Sequence, residues 1–417
     1  MRNPAALSLR FSRHTDRKRC EVRRAGERCA CFDPIPSAWL CETGRAFSRA
    51  PHWKESHVRP LATLTGCCTA AALLLLGSTP AGADPNNINP IPVLNGIAGL
   101  PNLPGPTVAV SQLTGMGSTN HTEQQNVLGT DLGIMWDNGQ GQMLTAYGDT
   151  AGLGLPNFLA GSIWAWRSNV LFTSPAGADP SGGINYTGFI DNPLPSPKIP
   201  GIEISFIPTA GIAANGAQYM SMMSVQDWGP DGHWDTNFST LAVSGDGGRS
   251  WVQLPATRRA NENGFQNFQQ AAFLKSGGYV YRYGTPGGRN NAGFVARVPE
   301  GDIANIDAYE YWDGGKWVPG KADAAAPIVG GVGELSVMWN DYLHQYVMLT
   351  TDPFDSVVMR TAPAPEGPWD APRVLIDAHS LPTAYAPMIY PYQTGNSLYF
   401  ALTMHNQYNT VLMRTPL

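Results

Sequence analysis

The chain lacks cysteine wherever it could form a folded body. All six cysteines of the 417 residues, Cys20, Cys29, Cys31, Cys41, Cys67 and Cys68, precede Ala83. The remainder therefore has no disulfide framework, no thiolate metal site and no cysteine nucleophile. Basic charge is also scarce there. The sequence holds 27 basic and 32 acidic residues, of which 13 and 6 precede Ala83, leaving 14 and 26 and a net charge of −12. That balance disfavours nucleic acid and anionic membrane surfaces as partners and is compatible with a neutral polysaccharide. The apolar run Leu61–Leu76 falls short of the ~20 residues a membrane-spanning helix needs. G-x-S-x-G, H-E-x-x-H, G-x-G-x-x-G and Walker patterns are missing, and the histidines, His121, His233, His344 and His405 among them, are scattered. No cofactor and no metal are expected.

What is present begins with a leader. Residues 1–60 are Arg-rich and aperiodic, and the apolar run after them ends in Ala81-Gly82-Ala83 before Asp84-Pro85. This small-x-small signature reads as a secretory signal peptide cleaved after Ala83, with residues 1–83 as extension plus signal. The mature protein is expected outside the cell or in the envelope, with no membrane insertion after cleavage, and as a monomer. Residues 84–118, rich in Pro, Gly and Asn, read as an extended N-terminal arm.

From residue 119 to 417 the pattern is uniformly β: short runs of Val, Ile, Tyr, Phe, Trp and Thr broken by Gly, Pro, Asn and Asp. Four similar exit strands recur, at 240–244, 293–298, 356–361 and 409–415, and Trp251, Trp312 and Trp369 follow the first three. The spacing of roughly 50–60 residues is that of propeller blades. With the hairpin at 131–149 as a further unit, the expected fold class is an all-β, five-bladed β-propeller preceded by the signal peptide and arm. The last exit strand meets the terminus, so the closing blade is expected to borrow an N-terminal strand. Ser244-Gly245-Asp246-Gly247-Gly248-Arg249-Ser250-Trp251 fits the Asp-box pattern of sialidase-like propellers, with Ser250 in place of Thr. Its Asp246 reads as a turn former, not a site residue.

Chemistry concentrates at residues 129–150, GTDLGIMWDNGQGQMLTAYGDT. Strand-like Ile134-Met135-Trp136 and Met143–Tyr147 flank a Gly-bearing turn, a hairpin signal. With a Gly139-Gln140-Gly141 loop, Asp131 faces Asp149; with a loop one residue shorter it faces Gly148. Either register gathers both carboxylates at the hairpin's open end, where mutual repulsion can raise one pKa and leave the other ionised. An acid and a base so paired suit glycoside cleavage, although Asp residues at strand ends also serve as plain turn formers. Glu203 is read as a supporting acid. Asp227, Trp228, Glu334 and His405 are read as substrate-binding candidates near strand ends, and Trp164, Trp166 and Asn169 as groups that stack on or hydrogen-bond a sugar. For the carboxylates the plain alternative is an outward-facing strand residue; for the alternating Trp pair it is core packing.

The motifs Thr130-Asp131-Leu132-Gly133, Tyr147-Gly148-Asp149-Thr150 and Trp166-Arg167-Ser168-Asn169, the segments EISFIPTAGI (203–212) and VGELSVMWN (332–340), and the Asp box together resemble the domain-of-unknown-function family 4185 over roughly residues 120–417. The resemblance implies a glycoside hydrolase of family 183, an endo-D-arabinanase on a five-bladed propeller. It also implies that the substrate is the D-arabinan of mycobacterial-type walls, in arabinogalactan and lipoarabinomannan, and that Asp131 and Asp149 are the paired catalytic aspartates. Asp149 is expected as the acid and Asp131 as the base, with inversion expected by analogy with other five-bladed arabinanases. The competing expectation is a non-catalytic carbohydrate-binding propeller of the envelope. A sialidase is disfavoured, because its Arg triad and Tyr nucleophile find no matching context.

Overall fold

A computed structural model describes residues 100–154, 164–230 and 232–417, all within the compact unit Gly77–Leu417. The expected leader, its cleavage site and the first part of the arm lie outside the described residues, and so does the side chain of Trp164.

Five antiparallel sheets form the five blades. Blade 1 runs Gly129–Asp137, Gln142–Leu153, Val170–Pro175 and Gly188–Asp191, with the short strand Trp164–Arg167 also paired to the long second strand. Blade 2 runs Ser205–Ala214, Ala217–Trp228, Trp234–Ser244 and Val252–Ala260. Blade 3 runs Gln270–Ser276, Tyr279–Thr285, Asn291–Pro299 and Glu310–Trp312, and gains the edge strand Trp317–Pro319. Blade 4 runs Ser336–Asn340, Gln345–Thr351, Val357–Ala362 and Arg373–Ile376. Blade 5 runs Ala384–Ile389, Ser397–Met404 and Asn409–Pro416, and its outer strand is Val108–Gln112.

The N-terminal strand thus closes the ring, with Val108 opposite Arg414 and Gln112 opposite Val411. It covers backbone donors and acceptors that would otherwise form an open edge at the chain terminus. This strand falls inside the Pro/Gly-rich run that composition marks as an arm. The four recurring exit strands are the third strands of blades 2 to 5. The Asp box makes the turn between the third and fourth strands of blade 2. There Asp246 accepts the Arg249 and Ser250 amides and the Ser250 hydroxyl, while Trp251 packs edge-on against Trp136 of blade 1.

The inner strand of blade 1 is buried on both faces, sandwiched between neighbouring blades: all of Gly129–Trp136 is buried. Leu132, Ile134, Trp136, Phe206, Met220, Met222, Tyr385 and Met388 form one apolar cluster joining blades 1, 2 and 5. One cavity is lined by Asp131, Ile207 and Gln270, near the start of their inner strands, and by Glu334 and Leu335, which just precede the inner strand of blade 4. A second is lined by their later residues, Trp136, Ala213, Lys275 and Trp339.

Candidate active site

The first hairpin combines both registers considered from sequence. Thr130 pairs with Thr150 and Leu132 with Tyr147, so Asp131 alone faces two residues, Gly148 and Asp149. A second irregularity sits at Gly133, and both Leu132 (φ 72°) and Gly133 (φ 87°) are left-handed. A left-handed leucine is strained, by about 1–3 kcal/mol, and survives only where its surroundings over-determine it. Here the Leu132 amide donates to Thr403 Oγ1 of blade 5 at 2.9 Å, and the side chain is buried. Gly148 supplies the room: a Cβ there would lie 2.4 Å from Asp131 Oδ1. The kink and the missing side chain together turn the Asp131 carboxylate across the hairpin.

The two carboxylates have different environments. Tyr385, from the inner strand of blade 5, donates its hydroxyl to Asp131 Oδ2 at 2.9 Å, and Tyr408 turns its hydroxyl toward the same carboxylate. Burial first, and then the charge of Asp149, push Asp131 up to about 8. Tyr385 and the more remote Arg289 oppose that rise only in part. Burial and the neighbouring charge therefore both favour the protonated form of Asp131. Asp149 Oδ1 accepts the Ser205 hydroxyl at 2.5 Å and the Lys198 ammonium at 3.4 Å. Burial raises Asp149 as well, but Lys198 and Ser205 both pull it down. One carboxyl is pushed toward its protonated form while its neighbour is provided with a cation, the kind of asymmetry an acid–base pair requires.

Around this pair the channel wall is aromatic and cationic. Arg289 grips Glu334 with a fork, Nη2 to Oε1 at 2.8 Å and Nε to Oε2 at 3.0 Å. Its guanidinium lies over the Tyr385 ring at 4.4 Å. Gly333 permits this approach, since a Cβ there would meet Arg289 Cγ at 3.0 Å. The chain Glu334–Arg289–Tyr385–Asp131 thus links blades 3, 4, 5 and 1 at the cavity. Trp228 and Trp234, edge-on at 5.8 Å, complete the blade 2 side.

The residues expected from sequence divide into two groups. Asp131, Glu334 and Trp228 line the cavity. Asp149 lies beside Asp131, His405 packs on Tyr385 at 6.1 Å, and Trp166 packs edge-on against Tyr408 at 5.8 Å, one layer behind the carboxylate. The others point elsewhere. Asn169 is a buried clamp whose amide donates to the Leu194 and Phe206 carbonyls and accepts the Leu194 amide, so it is spent on backbone groups away from the surface. Glu203 accepts the Ser224 hydroxyl at 2.6 Å and bonds neither aspartate; Ser205, two residues on, makes the contact expected of it. Asp227 accepts the Gly201 amide, closing a loop. Sequence reasoning passed over Lys198, Ser205, Arg289, Tyr385 and Tyr408. Ser205 lies within the segment EISFIPTAGI. Lys198, Arg289, Tyr385 and Tyr408 left no such trace. Among the described residues no three His, Cys, Asp or Glu side chains cluster as metal ligands.

Comparison with known proteins supplies the context. The family model described as "Domain of unknown function (DUF4185)" matches residues 117–414. Notoamide biosynthesis cluster protein J of Aspergillus sp. (strain MF297-2) is 28% identical over 303 residues, covering 66% of this chain and 80% of that protein. Protein J' of Aspergillus versicolor is 29% identical over 300 residues, covering 66% and 81%. Among solved structures, the GH43_1 enzyme from Xanthomonas citri superposes with a TM-score of 0.46 at 15% identity, over 74% of this chain and 90% of that one. The catalytic domain of the Coprinopsis cinerea GH62 α-L-arabinofuranosidase gives 0.45 at 8% identity, over 74% and 96%.

Proposed function

Because the chain belongs to the DUF4185 family, the family of the glycoside hydrolase family 183 endo-D-arabinanases, we propose that it is a glycoside hydrolase cutting α-D-arabinofuranosyl linkages within D-arabinan. The observation that carries this reading is the Asp131–Asp149 pair on one hairpin, Asp131 lining the cavity with the Tyr385 hydroxyl on it and Asp149 beside it bonded to Ser205 and Lys198. Family membership supports the substrate class, and the net charge of −12 after residue 83 accords with a neutral glycan.

In the proposed reaction Asp131 donates its proton to the glycosidic oxygen as the bond to the anomeric carbon breaks. Asp149 removes a proton from the incoming water or attacks the anomeric carbon itself. This reverses the order expected from sequence, where Asp149 was the acid. The reason is electrostatic: Lys198 and Ser205 favour the ionised form of Asp149, while Asp131 has hydroxyl neighbours and no cation of its own. The Glu334–Arg289–Tyr385 chain positions Asp131. Trp228 and Trp234 offer faces on which a furanose ring can rest.

Secretion, with cleavage after Ala83, belongs to the same proposal. N-terminal sequencing of protein recovered from culture medium should begin at Asp84.

The deciding experiment incubates the protein with purified D-arabinan and follows released oligosaccharides. Asp131→Asn and Asp149→Asn should each lower turnover by roughly 10²–10⁴-fold while melting cooperatively. Near-native turnover in both variants sinks the assignment. Binding by the native chain without fragments would favour the carbohydrate-binding alternative.

A further inference from the structure

Outside the site, two arginines carry charge into the wall between blades 2 and 3. Arg259 stands near the end of the outer strand of blade 2, and Arg282 in the middle of the second strand of blade 3. Their exposures are 1% and 0%. They converge on Ser239: Arg259 is its ladder partner, and Arg282 Nη2 donates to its hydroxyl at 3.2 Å.

Every acceptor these guanidiniums have is neutral. Arg282 Nη2 also reaches the Phe268 carbonyl at 3.0 Å, and Arg259 Nη1 the Thr257 carbonyl at 3.0 Å. Among the described residues neither makes an ion pair, whereas Arg167, Arg289 and Arg297 each face a carboxylate. Arg259 Nε and Nη2 and Arg282 Nε and Nη1 are buried without hydrogen-bond partners. Arg259 directs its guanidinium toward the Tyr311 hydroxyl oxygen, but outside full hydrogen-bond geometry.

A buried charge lacking a counter-charge is strongly unfavourable, and a second of the same sign beside it adds to the penalty. Arginine has no practical escape by deprotonation. Arg259 over the Tyr309 ring at 4.6 Å and Arg282 over the Phe273 ring at 5.6 Å relieve part of this. The tension shows in Arg282, which burial and the neighbouring Arg259 lower to about 9.

The unsatisfied guanidinium nitrogens are donors only, and the Tyr311 hydroxyl beside them can donate its proton as well, a set that suits an anion rather than a cation. We propose that the chain binds a small inorganic anion, a halide such as chloride, between Arg259 and Arg282, with the Tyr311 hydroxyl as a further donor. The enclosure sets the size limit: both arginines, Phe268, Tyr309 and Tyr311 are all at most 1% exposed, which leaves no mouth for an organic acid. A water is a poor substitute, because it also needs acceptors and cannot offset two like charges. The halide fastens blade 2 to blade 3, the blades that carry the cavity residues Trp234 and Arg289.

The test compares thermal unfolding of the native chain in sodium chloride and sodium gluconate at one ionic strength, with bromide soaked into crystals. Chloride should raise the melting temperature saturably, by roughly 2–4 °C for one well-bound ion in a domain of this size. Bromide should give an anomalous peak between the two guanidiniums. Arg282→Met should abolish the chloride dependence; if that variant does not fold, the native chain and the bromide peak still decide. Equal melting in both salts together with no bromide peak overturns the proposal.

Discussion

Tyr385 donates its hydroxyl to Asp131 Oδ2 at 2.9 Å across 254 positions of chain. The bond joins the last blade to the first and sets the direction in which the Asp131 carboxyl faces the channel. Tyr385 lies between two left-handed residues, Thr383 (φ 69°) and Ala386 (φ 51°), and Asp131 precedes left-handed Leu132. Both strands are kinked where they meet, so the contact is built by local distortion on each side.

Removing that hydroxyl should move the pH profile in a definite direction. Tyr385 favours the ionised form of Asp131, so Tyr385→Phe raises the Asp131 pKa further. If Asp131 is the acid, the alkaline limb of kcat/KM on D-arabinan shifts upward. Turnover at the optimum should fall by at most about tenfold, the scale of one neutral hydrogen bond. A downward shift of that limb would count against Asp131 as the proton donor.

Lys198→Met acts on the other limb. The ammonium lowers the Asp149 pKa, and its loss lets burial raise it. A base must be ionised, so the acid limb of the rate profile should move to higher pH while the alkaline limb stays in place. Lys198→Arg should restore much of the native profile, which a merely structural lysine would not require.

Stability should depend on pH through Asp131. Its carboxyl rises from 3.8 to about 8 on folding, so the folded state binds the proton more tightly than the unfolded chain. The associated stability is fully present below pH 3.8 and is lost as pH rises through about 8. Asp131→Asn removes the titration and keeps an acceptor for Tyr385. Its melting temperature should exceed that of the native chain near neutrality and above, by an amount that grows with pH up to about 8. The ceiling is on the order of a few kcal/mol. Parallel curves for the two proteins from pH 4 to 9 would refute the shift.

Gly148→Ala tests the geometry of the hairpin without touching a charge. The new Cβ would fall 2.4 Å from Asp131 Oδ1 and 3.1 Å from Leu132 Cδ1, so the carboxylate must swing away. Displacement of about 1 Å in a catalytic group can cost about 10²-fold in rate. The expected outcome is a loss of that order in turnover with substrate binding largely kept, measured as kcat against KM.

Much of the site was legible because it is local. Asp131 and Asp149 belong to one hairpin, and a Gly-bearing turn between β-prone runs brings them together in any register that keeps the inner face buried. The Asp box was equally readable, since its hydrogen bonds span at most four residues. Asn169 illustrates the opposite case. Nothing in its immediate neighbours foretells that it clamps carbonyls of Leu194 and Phe206, 25 and 37 positions away.

By itself the sequence determined the features that arise from short-range geometry and periodicity: five β-rich units, their turns, and two carboxyl groups at one hairpin mouth. The tertiary structure alone decided how the surroundings of the two differ. Lys198, Ser205 and Tyr385 reach the aspartates from 49, 56 and 254 positions away, and burial, the largest influence on both, arises only when the blades close. A proton's affinity depends on the field at one point in space, and distant residues meet at that point only once the ring is complete.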